Sequence, residues 1–180
     1  MPNLSRDEFA ALAQANRDES NTRVIPISIR LLADQLTPVL AYRRLVAPDE
    51  RTAPSFLLES VEGGERQGRY SILSAQPALE VLARGHEVTV TDHRSGSGQI
   101  TTEADPLLKL RSLTANLKLV MPASRRGAAL PASFLGGWVG FAAYDTVRYA
   151  EPEKLAHPPA DDRGLPDLHF GLYDGVVIFD

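Results

Sequence analysis

The stretch Ser55-Phe56-Leu57-Leu58-Glu59-Ser60-Val61 has an apolar middle and is followed by Gly63-Gly64, a pair typical of a turn. A second run of similar character, Tyr70-Ser71-Ile72-Leu73-Ser74-Ala75, comes shortly afterwards. The two runs predict a pair of strands joined by a long, charged loop. Neighbouring residues of a strand point to opposite faces of its sheet, so Glu59 and Ser60 cannot both face one core.

The polar residues of these strands need partners, because a buried polar group without one costs about 1–3 kcal/mol. In one interpretation, the hydroxyls of Ser60 and Ser71 bond to the backbone. Glu59 then pairs with Arg66 or Arg69. In the other, the strands line a ligand pocket, where a carboxylate binds a cationic amine and hydroxyls bind a carboxylate or backbone groups. Residue types alone leave both interpretations open.

The composition bounds the class of protein. With 180 residues, 43% of them hydrophobic and 23% charged, the chain is typical of a soluble globular domain and favours one compact unit. The formal net charge of -4 is spread along the chain without a run rich in Lys and Arg. A nucleic acid or an anionic membrane is therefore not expected as a partner, and small-molecule chemistry is favoured.

Cysteine usage and the first residues bear on location. The chain has no cysteine, which excludes disulfides, thiol nucleophiles and thiolate metal sites and fits a reducing compartment. The start, Met1 to Glu8, is polar and lacks the apolar core of a signal peptide, and no stretch approaches the ~20 apolar residues of a membrane span. The expected location is the cytoplasm.

The chain predicts several helices and strands. Ser5 with Glu8 three residues later is a capping box, which predicts a helix from about Arg6 to Asn16. Asp105-Pro106 predicts the start of a second helix, whose apolar positions continue to Val120. The other predicted strands are Val24–Ile29, Val39–Val46, Ala78–Ala83, Glu87–Thr91 and His169–Asp180. Hairpins and helices without regular alternation predict an α+β fold built on antiparallel sheet.

Two further groups of residues are candidates for a site. Gly136-Gly137-Trp138-Val139-Gly140 lacks the strand-turn-helix context of a phosphate-binding loop, so close packing of strands explains its glycines better. A metal site could be drawn from His86, Glu87, Asp92 and His93. Strand alternation divides these four between opposite faces, so no metal site is expected there. No nucleophile, base and acid form a recognisable motif, and no catalytic residue is predicted.

The motif Leu57-Leu58-Glu59-Ser60, ten residues and then Ser71, resembles the feedback-inhibitor signature in the amino-terminal half of anthranilate synthase component I, the chorismate-using large subunit of tryptophan biosynthesis. The surrounding sequence resembles the same family in order. The similar segments are Val24–Ile27, Leu32–Tyr42, Gly68–Ser71, Gly136–Phe141, Tyr144–Tyr149 and Asp167–Asp174. The resemblance runs from about Phe9 to Asp180.

The resemblance implies a fold and a site. Residues 1–180 would form the regulatory, tryptophan-binding domain of the family, one half of a two-sheet sandwich flanked by helices. The inhibitor L-tryptophan would bind at Glu59, Ser60, Tyr70 and Ser71. Glu59 would attract the amino group, and Ser60 would offer a hydroxyl to the polar head of the ligand. Ser71 would position the neighbouring strand.

The resemblance also implies what the complete enzyme does. This lyase would convert chorismate to anthranilate and pyruvate with Mg²⁺, using ammonia from a glutamine amidotransferase subunit (component II). Its catalytic and metal-binding residues would lie in a carboxy-terminal half absent here, so this chain alone is expected to hold no cofactor and to be inactive. The apolar strand Val176–Asp180 ends without a polar tail, which favours a fragment.

Two alternatives remain open from the sequence. One is the amino-terminal part of aminodeoxychorismate synthase component I, a sister enzyme whose amino-terminal half can hold a structural tryptophan. The segment from Ile25-Pro26 to Tyr42 favours anthranilate synthase over this sister. The other is a stand-alone amino-acid-binding module that has lost the catalytic half.

Overall fold

A computed structural model of the chain describes residues 2–15, 20–46, 54–59, 69–123, 130–131, 133–155, 157 and 160–180. The chain divides into two compact units, where its composition favours one. The first unit comprises Met1–Gln35 with Ser112–Ser133, and the second comprises Leu36–Arg111 with Phe134–Asp180. None of the helices in the described part is long and apolar enough to cross a membrane.

Four α-helices and ten strands make up the described structure. The helices are α1 (Arg6–Gln14), α2 (Pro38–Leu45), α3 (Pro106–Thr114) and α4 (Val147–Ala150), the last preceded by a 3-10 turn at Tyr144–Thr146. The strands are β1 (Thr22–Val24), β2 (Phe56–Glu59), β3 (Ser71–Ser74), β4 (Leu79–Arg84), β5 (Glu87–Asp92), β6 (Ser97–Thr102), β7 (Leu117–Leu119), β8 (Gly137–Ala142), β9 (Leu168–Tyr173) and β10 (Val177–Phe179).

The first unit contains α1 and a small parallel pair of strands, β1 with β7. The predicted capping box is confirmed: the Ser5 hydroxyl accepts from the Glu8 N–H, and the Glu8 carboxylate accepts from the Ser5 N–H at 2.8 Å. Arg23, on β1, donates a hydrogen bond to the carbonyl of Leu12 in the helix. This bond fixes the short parallel pair against α1.

The second unit holds two antiparallel sheets. The larger has the strand order β6-β5-β4-β9-β8, and the smaller has the order β10-β3-β2. The residues Val81, Ala83, Val88 and Leu168 of the larger sheet are fully buried and form its core. Helix α2 contacts β2 and β3 of the smaller sheet. Helices beside antiparallel sheets confirm the predicted α+β class.

The predicted strand Val39–Val46 is wrong, because this segment is helix α2. Thr37 caps the helix by accepting from the Leu40 N–H at 3.2 Å, and Pro38 occupies its first turn. Proline is pre-organised for this position, since its fixed φ suits the helix and its missing N–H would lack an intrahelical partner. The apolar run therefore follows helical periodicity, with Ala41 as the buried residue.

Three other boundaries also differ from the sequence prediction. The predicted strand Val24–Ile29 is wrong beyond Val24, the last residue of β1, because Pro26 has no N–H for a ladder; Ile29 makes only an isolated bridge with Pro2. The second helix ends at Thr114, because β7 pairs in parallel with β1 three residues later. The final strand divides into β9 and β10, which belong to different sheets.

Tyr149 fixes the β4–β5 turn. Its hydroxyl donates to the Gly85 carbonyl at 2.7 Å, while the Asp167 carboxylate accepts from the Gly85 N–H at 2.6 Å. Gly85 has a φ of 53°, the left-handed conformation that glycine adopts most readily. Burial first, and the nearby Asp167 second, raise the pKa of Tyr149 to about 12.

The raised pKa of Tyr149 predicts a loss of stability in alkali. An unfolded tyrosine ionises near pH 10, whereas the folded one holds its proton to about 12. Its stabilisation is therefore complete below pH 10 and falls as the pH rises from 10 to 12. We expect Tyr149→Phe to flatten the fall in urea-unfolding free energy over this range. Tyr144→Phe, at an 86% exposed side chain, is the matched control. Equal slopes in wild type and Tyr149→Phe would contradict the assignment.

Candidate functional site

The two strands of the opening motif lie side by side. β2 and β3 pair antiparallel, with Phe56 opposite Ser74 and Glu59 opposite Ser71, which confirms the predicted strand pair. Residues directly opposite in an antiparallel pair project from the same face with their Cβ atoms about 5 Å apart. The structure therefore brings the carboxylate of Glu59 and the hydroxyl of Ser71 together, although eleven residues separate them in the sequence.

A third strand extends this row. β10 pairs with β3 on its other side and places Phe179 opposite Ser71. Glu59, Ser71 and Phe179 thus form a row across the smaller sheet, on one face. The Glu59 side chain is exposed, whereas Ser71 and Phe179 are half-buried. The row combines a hydrogen-bond acceptor that carries charge, a hydroxyl and an aromatic ring.

Of the other two predicted ligand residues, the structure describes Tyr70 but not Ser60. Tyr70 is half-buried and immediately precedes β3. Ser60 lies outside the described residues, and so does Arg66, one of the two proposed ion-pair partners of Glu59. The other proposed partner, Arg69, pairs with Asp180 instead.

Arg69 makes two contacts beside the row. Its Nε and Nη2 atoms donate to the two carboxylate oxygens of Asp180 at 2.5 and 2.9 Å, a bidentate geometry. Its guanidinium carbon lies 5.1 Å from the centre of the Tyr70 ring, within range of a cation–π contact. The hydrogen bond and charge of Asp180 raise the pKa of Arg69 further above its ordinary value. The chain entering β3 is therefore tied to the end of β10.

A second polar cluster, which sequence reasoning missed, lies in the larger sheet. Glu80 accepts from His93 Nε2 at 2.7 Å through one carboxylate oxygen and from His169 Nε2 at 2.6 Å through the other. A carboxylate can only accept hydrogen bonds, so both Nε2 atoms donate. The side chain of Glu80 is 15% exposed, and those of the two histidines are 25% and 26% exposed. The sequence signal that could have indicated this cluster is Glu80 itself, a glutamate in the mostly apolar strand Leu79–Arg84.

An aromatic contact connects the motif strands to the larger sheet. Burial first, and then Glu80 and Tyr42, raise the pKa of Tyr173 to about 12. The Phe56 ring, at the start of β2, packs edge-on against the Tyr173 ring with a centroid distance of 4.8 Å. The strand that carries Glu59 is thereby anchored to β9 of the larger sheet.

The four candidate metal ligands do not assemble. His93 binds Glu80, whereas His86 contacts the Glu103 carbonyl at 3.0 Å. Asp92 accepts from the backbone N–H groups of the following turn, and these bonds lower its pKa. Across the described ranges, no group of three or more His, Cys, Asp or Glu side chains could hold a metal ion.

The glycine-rich strand packs closely, as predicted. A Cβ atom on Gly140 of β8 would lie 2.0 Å from the His169 carbonyl oxygen of β9. A Cβ atom on Gly136 would lie 2.8 Å from the Tyr173 carbonyl oxygen, and its φ of 138° favours glycine as well. These glycines therefore serve the approach of two strands rather than a phosphate group.

Known proteins share much of this sequence. No family model matches the chain. The chain is 48% identical over 174 residues to the anthranilate synthase alpha subunit 1, chloroplastic, of Arabidopsis thaliana, an alignment that covers 94% of this chain and 28% of that protein. It is 36% identical over 159 residues to the anthranilate synthase component 1 of Acetivibrio thermocellus, covering 87% and 29%.

A solved structure is also similar. The crystal structure of anthranilate synthase component I from Streptococcus pneumoniae TIGR4 is 27% identical in sequence, with a TM-score of 0.40, and the match covers 85% of this chain and 29% of that one. The chain spans only 28% of the length of the Arabidopsis protein and 29% of the Acetivibrio protein. The two alignments nevertheless extend over nearly all of its own length. Over nearly all of its length, the chain is homologous to a segment of anthranilate synthase component I.

Proposed function

We propose that the chain is the amino-terminal, feedback-regulatory part of an anthranilate synthase component I and that it binds L-tryptophan. The observation that carries this proposal is the placement of Glu59 directly opposite Ser71, with Tyr70 adjacent. A carboxylate and a hydroxyl on one face suit the ammonium and carboxylate groups of an amino acid. Ser60 keeps its place in the proposed site on the sequence motif alone.

The proposed site has both polar and apolar character. Glu59 accepts from the ligand ammonium group, and the exposed position of its side chain leaves the carboxylate accessible. Ser71 donates from the next strand, while Phe179 supplies an aromatic surface beside it. Feedback inhibition then requires that tryptophan bind one state of the whole enzyme better than the other.

The rest of the proposal concerns the activity and location of the complete protein. It is a cytoplasmic lyase that converts chorismate to anthranilate and pyruvate, with ammonia from a glutamine amidotransferase subunit. The Arabidopsis relative, by contrast, is named chloroplastic. Mg²⁺ and catalysis belong to the carboxy-terminal half of the complete protein in this proposal. The chain alone is then inactive.

The experiment measures tryptophan inhibition of anthranilate formation in the full-length protein. Glu59→Gln keeps the shape of the side chain and removes its charge. A hydrogen bond to a charged group is worth about 1.5–3 kcal/mol, so the half-inhibitory concentration of tryptophan should rise about ten- to hundred-fold. The loss of inhibition should far exceed any loss of turnover.

The control is Glu87→Gln, which removes an exposed carboxylate from β5 of the larger sheet and should leave inhibition unchanged. If Glu59→Gln lowers stability and turnover together without selective loss of inhibition, Glu59 is structural and the proposed site is wrong. The product separates the sister enzyme, because aminodeoxychorismate synthase releases no anthranilate.

A further inference from the structure

We propose that Arg69 and Asp180 form a clamp that positions Tyr70 and Ser71 for amino-acid recognition, with both clamp residues outside the ligand set. This inference rests on the proposed function, because it assigns Arg69 and Asp180 a positioning role next to the proposed tryptophan site. The two residues flank neighbouring strands of the smaller sheet: Arg69 lies two residues before β3 and Asp180 directly follows β10.

The geometry of the clamp is specific. Arg69 presents two parallel N–H groups to both oxygens of Asp180, which restricts the guanidinium in orientation as well as in distance. The same guanidinium carbon lies 5.1 Å from the centroid of the Tyr70 ring. One side chain therefore connects β10 to the residue that precedes Ser71.

The strand register explains why this contact bears on the site. Ser71 is the first residue of β3 and pairs with Glu59 on one side and Phe179 on the other. A strand end lacks the ladder bonds that a further residue would add, so its conformation depends on contacts made just outside the strand. The clamp supplies such a contact just beyond the Ser71–Phe179 pair, where it joins the residue two before Ser71 to the residue that follows Phe179.

Solvent exposure predicts how the clamp acts. The side chains of Arg69 and Asp180 are 68% and 37% exposed. Ion pairs in water contribute little to global stability. Loss of the clamp should therefore leave unfolding nearly unchanged and should be measurable at the ligand site, where the position of a strand end determines hydrogen-bond geometry.

The experiment compares Arg69→Gln, Arg69→Lys and Asp180→Asn in the full-length protein, with L-tryptophan as the probe. Arg69→Gln removes both the ion pair and the cation–π contact, and we expect it to raise the half-inhibitory tryptophan concentration about three- to ten-fold. Asp180→Asn removes the ion pair alone and should raise it about two- to five-fold. Arg69→Lys keeps the charge without the planar fork and should give a smaller rise. The KM for chorismate and the urea midpoint should move little.

The matched control is Arg163→Gln, which removes an arginine of similar exposure, 76%, from a surface loop. It should change neither inhibition nor unfolding. If both clamp variants retain wild-type inhibition while Glu59→Gln loses it, the clamp is wrong and the proposed site stands. If Glu59→Gln, Arg69→Gln and Asp180→Asn all leave tryptophan inhibition unchanged, the proposed site and the clamp are both wrong. If Arg69→Gln does not fold, Arg69→Lys takes its place, and unchanged inhibition in both Arg69→Lys and Asp180→Asn then contradicts the clamp. If Asp180→Asn does not fold, unchanged inhibition in Arg69→Gln contradicts it.

Discussion

Gly140→Ala is expected to lower the free energy of unfolding by about 3 kcal/mol, the upper part of the usual range for overpacking, because the exposed Gly140 lies in close contact with the backbone of the next strand. The added Cβ would lie 2.0 Å from the His169 carbonyl oxygen and 2.6 Å from the Phe170 Cα atom. Both of these are backbone atoms of β9, so no side-chain rotation relieves the clash. β8 must separate from β9, which breaks ladder hydrogen bonds at the edge of the five-stranded sheet.

Urea unfolding of the protein that contains this chain measures the effect. The matched control is Gly175→Ala, because a Cβ atom at Gly175 meets nothing within 4 Å and its φ is not positive. Its unfolding free energy should stay within about 0.5 kcal/mol of wild type, as surface substitutions usually do. Gly140→Ala with wild-type stability would show that β8 does not approach β9 as closely as described.

Glu80→Gln is expected to lower the free energy of unfolding by about 2–3 kcal/mol, because hydrogen bonds to a charged acceptor are worth roughly 1.5–3 kcal/mol each. Glu80 accepts from both His93 and His169. The amide of glutamine retains one acceptor oxygen and turns an NH₂ group towards the second imidazole. That imidazole N–H then faces a donor in a mostly buried position.

A double-mutant cycle that combines Glu80→Gln with His169→Gln tests the hydrogen bond between these two residues. Residues that share a hydrogen bond couple by about 0.5–3 kcal/mol, so the two losses should not add. Glu87→Gln, at an exposed position on the neighbouring strand, should cost little and serves as the control. Additive losses in the cycle would contradict the bridge between β4 and β9.

Local patterns predicted the elements whose signals are complete within a few residues. The capping box of α1 and the paired strands around Glu59 and Ser71 both follow from adjacent sequence. The strand predicted at Val39–Val46 shows the limit of such patterns. Its apolar run is dense enough to fit either periodicity, and the signal that distinguishes them is the Thr37-Pro38 cap that precedes the run.

Long-range pairing accounts for the other differences. Leu117 continues the helical apolar pattern of α3, yet it lies in a strand because Thr22, 95 residues earlier in the chain, pairs with it. The division of the last apolar run at Asp174-Gly175 likewise depends on which strands receive each part. A periodic pattern reports only that one side is apolar, and it does not identify the partner.

The sequence by itself determined the resemblance to anthranilate synthase component I, the α+β class and the motif residues Glu59 and Ser71, because these rest on residue identity and short spacing. Only the tertiary structure decided that Arg69 pairs with Asp180 and that Glu80 joins His93 to His169. These contacts join residues 111, 13 and 89 positions apart. The physical reason is that hydrogen bonds require atoms within about 3 Å, and strand order, which sets those distances, follows from the packing of the whole sheet.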